Sequence, residues 1–409
     1  MTLLPAARFE ALPRSALAEV VGVPFGIYVH VPFCASRCGY CAFNTYTTSD
    51  LGGRDLRRGY AEAARREISL ARAALGPDVP TVRTVFFGGG TPTALEPAEL
   101  VSILAAVQAE FPTAPDLEVT VEANPDSVDR RALDELRAGG VTRLSFGMQS
   151  ARAAVLAVLE RSHTPGAATR AVRDAHAAGF EHVSLDLIYG TPGETDADWQ
   201  ASLDAAIAAD PDHVSAYALT IEPRTRLAAQ VRRGLLPEPD EDVLVRRYDH
   251  ADDVLAAAGY GWYELSNWAR SAGARCRHNV LYWHNHHWWG IGPGAHSHVG
   301  GTRWWNLAHP DTYAASVAAG RLPVAGHETL DVGARVAERV LLGVRLADGF
   351  ALDISPSVVR ELIDDGLVQI VEWGDPPVVV LSRRGRSLAD LVARRVIDAT
   401  VLPVASLRP

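Results

Sequence analysis

With 409 residues, 48% of them hydrophobic and 22% charged, the chain can bury a full core and lacks the composition of a disordered protein. That length suits one large domain with a small one beside it. A net charge of −10 speaks against a general nucleic-acid binder.

Residues 1–23 read as a lead-in arm. Met1–Gly22 has no basic region followed by an apolar core, so no signal peptide is expected, and no run of about 18 apolar residues predicts a membrane span. From there strand-like and helix-like runs alternate. Strands are predicted at Phe25–Val31, Thr84–Phe87, Leu117–Ala123, Thr142–Gly147, His182–Tyr189 and His213–Ile221. Helices are predicted at Asp55–Leu75, Pro97–Phe111, Asp129–Ala138, Ala151–Glu160, Ala167–Ala178, Thr195–Ala209 with Thr195 as N-cap, and Asp240–Ala258. Six strands each followed by helix give an α/β fold with a parallel sheet over residues 24–259. A closed barrel would need eight units, and periodicity alone does not separate a partial barrel from a doubly wound sheet.

Residues 260–325 change character. Seven of the nine tryptophans and seven of the fourteen histidines fall between Trp262 and His309. A core does not need that density, so the segment is expected to line and complete a site. Residues 326–409 then read as a compact winged-helix-like α+β domain, with helical runs at 334–346, 355–365 and 387–396 and a hairpin at 367–372 and 378–381.

Three of the four cysteines, Cys34, Cys38 and Cys41, sit at C-x3-C-x2-C spacing directly after the first strand. Zinc would want four ligands, usually from paired C-x2-C units. Three clustered thiolates suit a [4Fe-4S] cluster with one iron left open. Such a cluster and free thiolates belong in a reducing, cytoplasmic setting rather than in a disulfide framework. The spacing resembles the signature of the radical S-adenosylmethionine (SAM) proteins, in which the open iron chelates SAM. Other chemistry-bearing residues fall at strand ends, where ligands of parallel α/β folds gather. They are the glycine run at 88–90, Glu122, Gln149 and, within the fifth strand, Asp186. An acid between apolar strand neighbours must face something polar.

Three segments narrow the resemblance: Tyr28-Val29-His30-Val31-Pro32-Phe33-Cys34, Phe87-Gly88-Gly89-Gly90-Thr91-Pro92-Thr93 and Asp186-Leu187-Ile188-Tyr189-Gly190. From about residue 25 onward the chain resembles the oxygen-independent coproporphyrinogen III oxidase family. The resemblance implies a partial (β/α)6 TIM-like barrel. It implies cluster ligation by Cys34, Cys38 and Cys41, and SAM held by Tyr28, Tyr40, Gly89 and Glu122. Gly90, Thr91, Gln149, Arg161, Asp186 and Thr220 match positions that hold a second SAM in the oxidase. Ile291, in a glycine-rich segment, is placed near the adenine end.

The family holds two groups, the oxidase and a group of heme chaperones that pass heme to acceptor proteins. The oxidase carries a further cysteine two residues after the triplet, where this chain has Phe43, and has a longer arm than the 33 residues that precede Cys34 here. His278-Asn279-Val280-Leu281-Tyr282-Trp283 resembles the HNxxYW motif of the chaperone group. Heme wants an imidazole or thiolate on iron and aromatic faces on the macrocycle. His278 is the expected axial ligand, with Asn279, Tyr282 and Trp283 beside it. Cys276 is either a thiolate ligand or a bystander, and His284, His286 and His287 read as a separate cluster, either an exposed loop or metal-binding. The expected role is a heme chaperone with cluster and SAM, a heme acceptor as partner, and an electron donor if SAM turns over. The alternative is radical oxidative decarboxylation of coproporphyrinogen III.

Overall fold

The computed structural model describes residues 12–400 except 78, 165, 352 and 375. Within the expected 1–23 arm, residues 1–11 lie outside the described residues, and the rest carries a short helix, Arg14–Ala18. The six expected strands are present as β1 (Phe25–Val31), β2 (Val82–Gly89), β3 (Thr113–Ala123), β4 (Arg143–Gln149), β5 (His182–Tyr189) and β6 (His213–Ala218). They pair in parallel, in chain order.

The alternation of side chains along a strand sorts these residues into two layers. Ile27, Val29, Val85, Phe87, Val119, Val121, Leu144, Phe146, Val183, Leu185 and Val214 are fully buried in one core beneath the outer helices. The intervening positions face the barrel interior and are mostly polar: Thr84, Glu118, Glu122, Arg143, Ser145, Asp186, His213 and Ser215. Met148 belongs to the outer layer, 4% exposed.

Helices cover the outside. The helix Tyr60–Leu75, with Gly59 at its N-cap, begins later than Asp55 because residues 56–59 are spent in a turn. Thr195 caps Asp196–Ala208 as expected, in a capping box with Asp198.

The sheet does not stop at six strands. Beyond β6 it continues through the antiparallel β7 (Gly261–Glu264) and β8 (Asn267–Ala269). On the other side of β1 comes β9 (His287–Ile291), parallel to β1, followed by β10 (His296–Val299), β11 (Thr302–Asn306) and β12 (Val324–Thr329). The result is one open sheet of twelve strands with seven in parallel register. Much of the aromatic density of 260–325 is therefore structural rather than lining. Trp268, Trp289 and Trp304 are all under 2% exposed, and Trp289 meets Trp304 edge-on at 4.7 Å.

The C-terminal unit has its own core around Leu362, Val368, Leu381, Val392 and Val396. It combines the helices Val332–Gly343, Pro356–Asp364 and Ala389–Ala399 and the short helix Arg383–Ser387 with a small sheet of β13 (Phe350–Ala351), β14 (Val368–Glu372) and β15 (Val378–Leu381) in the order β13-β15-β14. Arg383 and Arg386 fasten it to the helix Glu241–Ala257 through Asp253 at 2.6 Å and Asp252 at 3.0 Å. The Arg386 guanidinium also lies 3.8 Å over the Trp262 ring. Among the described residues no helix is long and apolar enough to cross a membrane.

Candidate functional site

The mouth of the barrel is built around the loop after β1. Its base is closed by Cys34 N–H donating to the Tyr46 carbonyl and Tyr46 N–H donating to that of Pro32. Gly39 N–H donates to Leu159, and Leu227 N–H donates to Gly39, so two further segments pin the loop. The glycine run after β2 packs directly under it. Gly90 N–H donates to Val31 and Thr91 N–H to Phe33. A Cβ on Gly90 would lie 2.7 Å from the Phe33 carbonyl oxygen and 3.0 Å from Cys34 Sγ, so no larger residue fits while the cysteine loop stays where it is.

Cys34, Cys38 and Cys41 are free, half-buried and line one cavity of about 960 Å³. Burial pushes the Cys34 thiol up to about 11, against the hydrogen bond from Thr91 Oγ1. Arg161 brings Nη1 to 3.6 Å from Cys38 Sγ, while its Nη2 donates to the Gly147 carbonyl. The Arg161 cation opposes the burial that raises the Cys34 thiol, without outweighing it. Three free thiols lining one cavity beside a guanidinium fit a three-cysteine cluster, while among the described residues no three such groups stand close enough to hold a single metal ion.

The same cavity collects Tyr40, Gly89, Gly90, Thr91, Glu122, Gln149, Arg161, Asp186, Thr220 and Asn279. Glu122 and Asp186 are its half-buried strand-borne acids. Burial and the neighbouring Asp186 push Glu122 up to about 8, against the Gly89 N–H at 3.3 Å. Asp186 is also raised by burial, while Ser145 donates to both of its carboxylate oxygens. Gln149 ends β4 with φ +65°, a backbone state that a non-glycine residue adopts at a cost. Its amide and the Arg161 guanidinium both pass over Gly147, where a Cβ would sit 2.8 Å and 2.7 Å from them.

Other expected site residues lie elsewhere. Tyr28 is half-buried beside this cavity, its hydroxyl hydrogen-bonded to His30 Nδ1 at 3.0 Å. Ile291 is fully buried in β9 opposite Val29, inside the outer core.

His278, the expected axial ligand, has both ring nitrogens engaged in this conformation. His278 is 1% exposed, with Nδ1 2.8 Å from Thr84 Oγ1 and Nε2 2.8 Å from Tyr282 Oη. Its ring stacks on Phe86, and burial pulls its pKa down to about 3. The cause is the helix Arg277–Trp283, which plugs the lower end of the barrel. Glu118 accepts the backbone N–H groups of Arg277 and His278, at 3.0 Å each, and so holds that plug. Trp283 is half-buried, with Arg345 over its ring. Cys276 is buried, and that burial pushes its thiol up to about 12.

Sequence reasoning missed the barrel floor. Arg143, Ser145, His213 and Ser215 line the cavity. The signal was there, since Arg143, Ser145, Gly147 and Gln149 alternate with Leu144, Phe146 and Met148, the pattern of a strand with one polar face.

A parallel α/β barrel with three cysteines at the C-terminal end of its first strand is the architecture of the radical SAM class. The Radical SAM superfamily model matches residues 28–206. Heme chaperone HemW of Mycobacterium tuberculosis (strain ATCC 25618 / H37Rv) is 52% identical over 93% of this chain and 97% of that protein. Heme chaperone HemW of Bacillus subtilis (strain 168) is 32% identical over 89% of this chain and 97% of that protein. Among solved structures, Escherichia coli coproporphyrinogen III oxidase HemN, a radical SAM enzyme, superposes with a TM-score of 0.76 at 23% identity, over 94% of this chain and 91% of that one. The chain belongs to the HemW family.

Proposed function

We propose that this protein is a cytoplasmic heme chaperone, carrying a [4Fe-4S] cluster and SAM and delivering heme to an acceptor protein. The 52% identity to a curated heme chaperone across 93% of the chain carries this reading. Cys34, Cys38 and Cys41 would ligate the cluster. Tyr28, Tyr40, Gly89 and Glu122 would hold SAM, with Gly90, Thr91, Gln149, Arg161, Asp186 and Thr220 as the wall of a second SAM position and Ile291 behind the adenine end. A reduced cluster of this class can supply one electron for cleavage of SAM. Turnover would need an electron donor, and the chaperone role does not require turnover.

In this reading heme iron takes Nε2 of His278, with Asn279, Tyr282 and Trp283 around the macrocycle. That requires Tyr282 to release Nε2.

Oxidative decarboxylation of coproporphyrinogen III is the rival. The likeness to the oxidase supports the fold, and Phe43, 70% exposed at the cavity rim, stands where the oxidase pattern has a cysteine. The deciding experiment uses anaerobically reconstituted protein with reductant and SAM. One portion is titrated with heme in the Soret region, and the other receives coproporphyrinogen III with mass analysis of the product. Stoichiometric heme binding without loss of carboxyl groups is expected. Decarboxylation over many turnovers would replace the chaperone reading.

A further inference from the structure

The cavity reaches well below the SAM residues. Gln149 lies at its mouth and Arg143 at its floor, on the same strand, and that strand runs about 20 Å between them. Arg143 is 3% exposed, yet it lines the cavity. Among the described residues no carboxylate oxygen lies within 4.0 Å of its guanidinium, and its Nε has no hydrogen-bond partner. Its main electrostatic neighbours are Cys276, Glu118, Tyr263 and Asp186, and Glu122 higher in the cavity also feels its charge. The two acids are committed elsewhere. Glu118 accepts from the backbone of Arg277 and His278, and Asp186 accepts from Ser145. His213 is committed too, between Ser184 Oγ at 2.7 Å and Tyr263 Oη at 2.8 Å.

The neighbouring acids hold this buried guanidinium charged, but no carboxylate is seated on its fork, and an anion delivered into the cavity would supply that contact. We propose that Arg143 is the base of a carboxylate subsite at the barrel floor, taking one carboxylate of a ligand that reaches beneath the SAM residues. The planar fork of a guanidinium matches a carboxylate in two parallel hydrogen bonds. Glu118 and Asp186 close by disfavour a dianion such as phosphate, so a monoanion suits this floor. Asn279 offers a further polar contact to the incoming group. Resting on the chaperone reading, the carboxylate is a porphyrin propionate. A small free carboxylate carries the same chemistry.

The test has two arms, both on anaerobic, cluster-loaded protein, with the cluster absorbance and melting temperature as controls of folding. In the first, propionate and its methyl ester are titrated calorimetrically. Wild type binds propionate saturably and ignores the ester. Arg143→Gln weakens propionate by at least about tenfold, the loss expected of a charge-assisted pair. Cys276→Asp places a carboxylate beside Arg143 and blocks propionate in the same way, which decides the matter where Arg143→Gln fails to fold. Absence of saturable propionate binding in wild type, or binding unchanged in Cys276→Asp, overturns the proposal. In the second arm, heme is compared with heme dimethyl ester. A preference for heme that Cys276→Asp abolishes supports the subsite with the porphyrin as source, and equal affinity with saturable propionate supports it with a free carboxylate. If neither porphyrin binds, the chaperone reading fails, while the propionate result still decides the subsite.

Discussion

Tyr282 Oη lies 2.8 Å from Nε2 of His278, one helical turn earlier on the 277–283 helix. The phenol therefore competes with any metal for that nitrogen. Removing it with Tyr282→Phe should raise heme affinity several-fold, because a hydrogen bond worth roughly 1 kcal/mol no longer has to be given up. His278→Ala should abolish the ligated Soret band while cluster assembly persists. A Soret titration of both variants checks this. Unchanged heme affinity in Tyr282→Phe, with an unchanged spectrum in His278→Ala, would leave His278 as a strut of the barrel floor and nothing more.

Removal of a thiol tests the cluster. Cys38→Ala leaves two ligands on the loop, and iron content per chain should collapse after anaerobic reconstitution. Retention of a full four-iron cluster, measured by iron and sulfide assay, would show that the triplet is not the ligand set.

Glu122 should set a pH dependence of SAM binding. Its carboxyl is held near 8, mainly by burial and then by Asp186. The charged form, the better acceptor for ribose hydroxyls, accumulates as pH rises through that value, so SAM affinity should climb between about pH 7 and 9. Glu122→Gln should bind SAM about tenfold more weakly, with no slope, the loss of one charge-assisted contact. Equilibrium dialysis across this range would expose a flat wild-type profile if Glu122 stays out of SAM binding.

Glu67 predicts a different pH effect, on stability. It is fully buried behind the glycine-rich turn after β9, where it accepts from Gly292 N–H at 2.7 Å, Asn306 Nδ2 at 2.7 Å and Tyr313 Oη at 2.6 Å. Burial raises its pKa to about 7 in spite of those donors. The folded chain thus holds the proton more tightly than the unfolded one. The stabilising contribution is complete below the ordinary value of 4.5 and is lost as pH rises through 7. Across that window wild type should lose at most about 3 kcal/mol that Glu67→Gln does not lose. Denaturant titrations at several pH values compare the two slopes, and parallel slopes would rule out Glu67 as the source.

The two layers of the barrel were legible because alternation and helix signals are local. The six parallel strands, the helix caps and the cysteine loop all follow from short windows of sequence. β9 was not legible as a barrel strand, since its place beside β1 depends on pairing across more than 250 residues. The engagement of His278 was hidden for the same reason, because Thr84, its Nδ1 partner, stands 194 positions away. A motif names a histidine without saying which of its nitrogens is free. Arg143 was legible as a polar inward position, but its lack of a partner is a property of the assembled floor.

β1 lies between β2 and β9, and it carries the chain into the cysteine loop. During synthesis its first edge is covered once β2 emerges, early in the chain. Its second edge stays bare until residues 287–291 have left the ribosome. Until then a strand of nearly unbroken apolar residues has a row of unpaired amides beside the thiol loop. Completion of the sheet beside the cysteine loop therefore waits for that late moment, and a nascent chain stalled before residue 287 should hold its thiols on an unfinished, aggregation-prone scaffold.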